Sequence, residues 1–185
     1  MAVQPQRYRF RVGEYERMGE AGILGEDDRV ELIEGEIVEM AAIGSKHAGC
    51  VDRLTQEFTS LIGRRAIVRV QNPVRLGDFS EPQPDLAVLR PRDDFYAGGH
   101  PSPEDVLLIV EVADTTGRYD REVKAPLFAR AGIPEAWVID QEQRRVHRYR
   151  SPSPDGYRED DVVVSGVLES GSVPGFRIEI ASLFV

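Results

Sequence analysis

The chain has 185 residues, of which 41% are hydrophobic and 30% are charged, and its formal net charge at pH 7 is −9. This length and composition predict one globular domain over residues 1–185, large enough to bury about 70% of the surface that the unfolded chain exposes. The acidic balance argues against a protein that binds nucleic acid with its whole surface, and the lack of any apolar run near 20 residues argues against a membrane span.

The first residues lack the apolar stretch of a secretory signal, and Cys50 is the only cysteine. A disulfide framework is therefore excluded, and we expect a reducing, cytoplasmic environment. The positive charge is concentrated in two stretches. Residues 53–75 contain five arginines against one acid, and residues 117–150 contain eight Lys or Arg against five acids.

The N-terminal part predicts two helices separated by a hairpin. The first helix covers 12–21. Residues 29–34 and 36–40 then alternate between apolar and polar side chains around a glycine, as the two arms of a hairpin do. Apolar residues at helical spacing predict a longer helix over 46–62, with Ser45 as its N-cap.

The middle of the chain predicts strands. Residues 66–70 and 73–76 have the composition of strands, and 84–89 follows as a third. Residues 90–105 are rich in proline and glycine, which predicts a surface loop. Residues 106–112 are apolar at nearly every position, which predicts a strand covered on both faces.

The last part alternates between helix and strands. Residues 119–131 predict a helix that Pro126 kinks or shortens in its first turn. A buried strand over 136–140 and a hairpin turn lead into 144–150, where the alternation predicts one basic, exposed face. A loop over 151–156 and short strands over 157–164, 165–169 and 176–180 complete the predicted elements.

Two carboxylates mark the ends of two of the buried strands. Asp85 begins the strand 84–89, and Glu111 ends the strand 106–112. If these strands pair antiparallel, both carboxylates lie side by side at one edge of the sheet, where they can hold a divalent cation such as Mg²⁺. The alternative for Asp85 is that it only caps a strand end, whereas a buried Glu111 needs a partner.

Lysine is rare in this chain. Of 23 basic residues only Lys46 and Lys124 are lysines. A chain that uses arginine for general surface charge retains lysine where a compact ammonium group is needed, which singles out Lys124 in the predicted helix after Glu111. The alternatives are chance and a surface pair between Lys124 and Asp120, which are spaced i, i+4.

The order of these pieces resembles the PD-(D/E)XK nuclease superfamily, with Pro-Asp on one strand, Glu on the next and a lysine nearby. Within it, the chain is similar to the bacterial Uma2 family of restriction endonucleases. The segments that carry the resemblance are 31–40, His47, 83–85, 110–112, Lys124 and 129–140. The resemblance implies an α/β fold of the restriction-endonuclease type, with a central mixed β-sheet flanked by helices and extra N-terminal and C-terminal β-hairpins.

The resemblance also implies an activity, a cofactor and partners. It implies an endonuclease that hydrolyses DNA with Mg²⁺ or Mn²⁺, and a homodimer. Asp85, Glu111 and the backbone carbonyl of Val112 would hold the metal, and Lys124 would orient the attacking water and stabilise negative charge. The superfamily's usual lysine lies two residues after the acid, where this chain has Ala113. The family is thought to supply it from the following helix, which points to Lys124.

Other residues carry weaker hypotheses. Glu36 is a further candidate acid at the metal, or only the wet face of a hairpin, and His47 either contacts phosphate or the metal or is solvated. Arg144, Arg145 and Arg148 contact nucleic acid, or only form a solvated strand face.

Two rival functions follow from the same sequence. A nuclease-fold binding or assembly module without catalysis is favoured by the acidic balance, because phosphate contact depends on local Lys and Arg density. A metallo-hydrolase that is not a nuclease is the other alternative. One cysteine and three histidines make a zinc site of the usual Cys or His type a poor fit.

Overall fold

The computed structural model describes residues 7–25, 27–113 and 117–184. The helices are α1 (Val12–Glu20), α2 (Ser45–Ile62), α3 (Gly117–Tyr119) and α4 (Ala125–Arg130). The strands are β1 (Val30–Ile33), β2 (Glu36–Glu39), β3 (Ile67–Val70), β4 (Leu86–Leu89), β5 (Val106–Ala113), β6 (Glu135–Asp140), β7 (Arg145–Ser153), β8 (Gly156–Val163), β9 (Val167–Glu169) and β10 (Arg177–Glu179). Among the described residues, no helix is long and apolar enough to cross a membrane.

Six strands form a central mixed sheet in the order β3-β4-β5-β6-β7-β8. Neighbouring strands are antiparallel except β5 and β6, which are parallel. A hairpin of β1 and β2 precedes this sheet in sequence, and a second small sheet of β9 and β10 follows it. The predicted fold class, a mixed sheet with helices and two extra hairpins, is confirmed.

One face of the sheet is covered by α2. Its apolar residues recur at helical spacing, so Leu54, Phe58 and Ile62 face the same way and are buried. Phe58 meets Trp137 of β6 edge to face at 5.9 Å between ring centroids, and Phe176 lies 4.5 Å from Phe58. This aromatic cluster anchors the helix and the C-terminal segment on the sheet, with Trp137 fully buried in the core.

The chain after β5 is helical in three consecutive pieces. A π-helical turn, Asp120–Lys124, lies between α3 and α4, and the Ala125 amide donates to the Asp120 carbonyl across five residues. Pro126 cannot donate a backbone hydrogen bond and its ring would crowd the preceding turn of an α-helix. The wider turn accommodates Pro126 without ending the helix. The distortion that the sequence predicts at this proline is therefore a π-helical turn.

Two predicted elements differ from the structure. Residues 73–76 do not form a strand, because their amides donate to loop carbonyls: Val74 to Pro82 at 3.0 Å and Leu76 to Ser80 at 2.9 Å. Residues 151–156 are not a loop throughout, since β7 continues to Ser153 and β8 starts at Gly156. Gly156 has a φ of +128°, which lets the chain reverse in a tight turn where prolines had indicated a longer loop.

The β1–β2 hairpin is attached to the segment that leads into β4. Glu81 forms an isolated bridge with Leu32, its amide donating to the Leu32 carbonyl at 2.7 Å. The Glu81 side chain is buried, and its Oε2 has no hydrogen-bond partner among the described residues. Burial, with a contribution from Glu16, raises the pKa of this carboxyl to about 7, although Arg75 opposes the shift.

We expect Glu81→Gln to make stability less dependent on pH. The unfolded carboxyl loses its proton near its ordinary pKa of 4.5, whereas the folded one loses it near 7. Stability is therefore full below pH 4.5 and is lost as the pH rises through 7. The variant should be more stable than wild type by about 2–3 kcal/mol at pH 8, and nearly equal at pH 4.5, in urea unfolding. Glu142→Gln, at an exposed turn residue, is the control, and an equal difference at both pH values would contradict the prediction.

Candidate active site

Asp85 and Glu111 lie side by side, as the antiparallel pairing predicted. In the register of β4 and β5, Leu86 is opposite Val110, so the residues before and after them are neighbours. The Asp85 amide donates to Glu111 Oε2 at 3.2 Å, and the Val112 amide donates to Asp85 Oδ2 at 2.9 Å. Both side chains are buried, so the backbone of each strand supports the carboxylate of the other.

Lys124 reaches this pair from the π-helical turn. Its Nζ lies 3.1 Å from Glu111 Oε1 and 3.1 Å from Glu31 Oε2, and its side chain is only 8% exposed. π-Helical turns are rare and often occur at functional sites. The alternative of a surface pair with Asp120 is therefore wrong as a description of Lys124, because the ammonium is buried between two other acids.

Glu31 belongs to the site although the sequence had not singled it out for chemistry. The hairpin brings it there: the Gln83 amide donates to Glu31 Oε2 at 3.2 Å, and the Gln83 side chain donates to the Val30 carbonyl at 3.1 Å. One signal in the sequence indicated burial, since Glu31 shares a strand face with the apolar Ile33. The sequence pattern does not predict that the Glu31 carboxylate pairs with Lys124.

His47 and Gln71 hold the other side of Asp85. His47 Nε2 lies 2.9 Å from Asp85 Oδ1, and Gln71 Nε2 donates to the same oxygen at 3.1 Å. Burial alone would raise the pKa of Asp85, but the hydrogen bonds from His47, Val112 and Gln71 outweigh it, so that the pKa is lowered. Asp85 is therefore held as a carboxylate.

The buried Glu111 and Lys124 influence each other's protonation. Burial raises the pKa of Glu111 well above its ordinary value, while Lys124 opposes the shift. Burial acts to lower the pKa of Lys124, but Glu111, Glu31 and Asp120 outweigh it and raise the pKa. Lys124 is thus a firmly held ammonium group, around which the acids are arranged.

These residues line a cleft of about 510 Å³ between the hairpin, the start of α2 and the π-helical turn. Among its lining residues, carboxylates outnumber arginine and lysine by five to two: Glu31, Glu39, Asp85, Glu111 and Asp120 against Arg29 and Lys124. An anionic substrate would meet a negative surface here unless a cation were bound as well.

The donor set fits a hard divalent cation held partly by its substrate. Within the described ranges, no three His, Cys, Asp or Glu side chains are grouped so that they could hold an ion by themselves. Mg²⁺, however, is commonly held by one or two carboxylates with waters and substrate phosphates. Asp85 Oδ2 and both oxygens of Glu111 each accept one hydrogen bond from the described residues, which leaves a lone pair on each for a metal.

Glu36 does not reach the cleft. It is at the turn end of β2, opposite Ile33, and its carboxylate pairs with Arg7 at 2.9 Å with half of the side chain exposed. Glu31, two residues before Ile33, is about 7 Å further along the hairpin, and this distance separates the buried acid from the exposed one. The structure therefore supports the wet-face interpretation of Glu36.

The three arginines that were candidates for nucleic-acid contact, Arg144, Arg145 and Arg148, are engaged within the protein. Arg148 makes two hydrogen bonds to the carboxylate of Asp161, at 3.1 and 2.8 Å. Arg145 pairs with Asp140 at 3.1 Å, and the guanidinium of Arg144 lies over the Phe184 ring at 5.4 Å. The described residues that line the cleft include none of these three arginines. The geometry therefore favours the interpretation that they only form a strand face.

A comparison with protein families and a comparison with solved structures both gave matches. A family model described as "Uma2: Putative restriction endonuclease" matches residues 12–181. A solved structure from Anabaena variabilis ATCC 29413, titled a putative nuclease belonging to DUF820, superposes with a TM-score of 0.72 at 17% sequence identity. The alignment covers 94% of this chain and 97% of that chain, which shows a shared fold. No curated protein sequence matches this chain.

Proposed function

This chain belongs to the Uma2 family, described as "putative restriction endonuclease", and on that premise we propose that it is a metal-dependent endonuclease that hydrolyses DNA phosphodiester bonds. One observation supports this most directly: Glu111 contacts both Asp85, at 3.2 Å, and Lys124, at 3.1 Å, so that the three residues converge. A buried ammonium group beside two acids at one sheet edge serves no evident packing purpose, because buried ion pairs add little net stability.

Each residue has a role in this proposal. Asp85, Glu111 and the carbonyl of Val112 would hold Mg²⁺ or Mn²⁺. Such an ion polarises the phosphoryl oxygen and lowers the pKa of a bound water. Lys124 orients the attacking water and stabilises the negative charge that develops on the phosphate. Glu31 fixes the position of the Lys124 ammonium, and His47 holds Asp85 in its ionised form.

The test is cleavage of plasmid and single-stranded DNA in Mg²⁺ or Mn²⁺. We expect wild-type protein to cleave and EDTA to stop the reaction. Asp85→Asn and Glu111→Gln should lower the rate at least about 100-fold, because each removes charge from the cation site. Asp93→Asn and Glu104→Gln change exposed acids in the same isosteric way and should cleave normally.

Direct metal binding separates the two parts of the proposal. Calorimetry with Mn²⁺ should show binding to wild type and weakened binding to Asp85→Asn. Wild-type protein that binds no divalent cation, with or without DNA, would contradict the metal site. Cleavage that persists equally in both isosteric site variants would indicate a contaminating nuclease and would contradict the assignment.

A second candidate, a binding or assembly module without catalysis, is favoured by the acidic cleft and by the internal pairing of the arginines. The same assays distinguish it, since such a module would bind a partner but leave DNA intact in Mg²⁺ and in Mn²⁺. Cutting both strands of a duplex requires two active sites, so the homodimer stays a prediction for sedimentation analysis.

A further inference from the structure

Tyr119 has a buried hydroxyl to which the described residues offer no hydrogen bond. It immediately precedes the π-helical turn and lines the cleft, with its residue half-buried. The hydroxyl oxygen is shielded from solvent and finds no hydrogen-bond partner among residues 7–25, 27–113 and 117–184. A buried polar group without a partner typically costs about 1–3 kcal/mol, so such a group in a cleft is a candidate for contact with a ligand.

The π-helical turn explains why this tyrosine faces the same cleft as Lys124. The two residues are five positions apart, and in an α-helix five residues turn through about 500°, which places them about 140° apart around the axis. A turn closed by i→i+5 hydrogen bonds is wider, and it brings residue i+5 close to the same face of the helix as residue i. Tyr119 and Lys124 both line the cleft, in agreement with this geometry.

The charges around the hydroxyl keep it a donor. Burial raises the pKa of Tyr119 to about 12; Glu31, Asp120 and Glu111 add to the shift, and Lys124 opposes it. The hydroxyl is therefore protonated at neutral pH. It lies near the same acids that surround the Lys124 ammonium, yet it donates to none of them.

We propose that the Tyr119 hydroxyl is a catalytic residue that donates a hydrogen bond to a non-bridging phosphate oxygen of the nucleic-acid substrate bound in this cleft. The inference rests on the proposed nuclease function and adds a substrate contact to it. Catalytic hydrogen bonds are often long in free enzymes and tighten in the complex, so the substrate supplies the acceptor that the hydroxyl does not find among the described residues. Together with Lys124 the hydroxyl offers the phosphate two donors from one turn of helix.

Tyr119→Phe tests this inference, because it removes only the hydroxyl oxygen. Cleavage of a fluorescein-labelled oligodeoxynucleotide in Mg²⁺ should fall about 10- to 100-fold, which is the effect of losing one hydrogen bond to a charged group. Its affinity, measured by anisotropy in Ca²⁺ to limit turnover, should also weaken. The melting temperature of the ligand-free variant should stay the same or rise, by up to about 4 °C, because the substitution removes an unsatisfied buried group.

Tyr157→Phe is the matched control. Its hydroxyl donates to the Ile133 carbonyl at 2.9 Å, and Tyr157 does not line the cleft. The control should therefore melt at a lower temperature and cleave like wild type. The inference is overturned if Tyr119→Phe binds and cleaves like wild type, or if it melts at a lower temperature as Tyr157→Phe does.

The two proposals fail in different ways. If wild-type protein neither binds nor cleaves the oligonucleotide in Mg²⁺ or Mn²⁺, the nuclease function fails, and the inference about Tyr119 fails with it. If wild type cleaves and Tyr119→Phe cleaves at the same rate, only the inference fails.

Discussion

Lys124→Met is expected to lower the free energy of unfolding by about 3–5 kcal/mol at pH 8, because it leaves two buried carboxylates, Glu31 and Glu111, without their shared cation. Methionine has a similar length and no charge, so the loss reports mainly on the ammonium group. Urea unfolding measures the change. On the proposed function, cleavage of DNA should also fall at least about 100-fold, because the ammonium group proposed to stabilise the phosphate charge is gone.

The stability loss should depend on pH with a defined sign. Burial already raises the pKa of Glu111, and Lys124 is what opposes that rise. Without Lys124 the folded carboxyl binds its proton more tightly than the unfolded one does. The folded variant is then favoured below the unfolded pKa and loses that stability as the pH rises. The defect of Lys124→Met should therefore be clearly smaller at pH 5 than at pH 8.

Lys46→Met is the control for this prediction, since Lys46 is the other lysine of the chain and is exposed on α2. It should leave both unfolding and cleavage unchanged. Adding Glu111→Gln to Lys124→Met should cost less stability than the sum of the single changes, because the orphaned charge is removed. A loss equal at both pH values, or additive changes, would contradict a charge-based role for Lys124.

Glu31→Gln should lower cleavage about 10- to 100-fold, which is the usual effect of removing a group that positions an active-site residue. The amide keeps an oxygen that accepts from Lys124 and from the Gln83 amide, so the fold should survive the change. What is lost is one of the negative charges that fix the ammonium group between Glu31 and Glu111. Initial rates under saturating Mg²⁺ measure the effect, and urea unfolding shows whether the fold is intact.

Glu36→Gln is the matched change on the same hairpin. Glu36 is half-exposed and pairs with Arg7, a surface pair of little energetic value. We expect cleavage at the wild-type rate. If Glu36→Gln impaired cleavage and Glu31→Gln did not, the assignment of the two glutamates would be reversed.

On the proposed function, the acidic cleft would give the metal an electrostatic role besides its chemical one. Carboxylates outnumber arginine and lysine in the cleft by five to two, so the metal-free cleft would repel a phosphodiester. On the proposed function, the cation and the DNA would bind together. This arrangement also reconciles a nuclease with a chain whose net charge is −9.

Much of the fold could be predicted because local patterns encode it. Spacing of apolar residues located α2, and continuous apolar runs located β5 and β6 as buried strands. The neighbouring positions of Asp85 and Glu111 were expected if the two strands paired antiparallel, and they do. The predictions were wrong where backbone amides donate to loop carbonyls, as at 73–76, or where a glycine tightens a turn, as at Gly156.

The sequence by itself therefore determined the strands and the two acids at their ends, because these depend on side-chain periodicity and on neighbours along the chain. Only the tertiary structure decided which other groups meet those acids. Glu31 reaches the site because its hairpin packs against Gln83, which is 52 residues away in sequence. Lys124 and Tyr119 face the cleft because the helix accommodates a proline through a π-helical turn. Such contacts depend on how the helices and strands pack against one another, and the immediate sequence neighbours of a residue do not specify that packing.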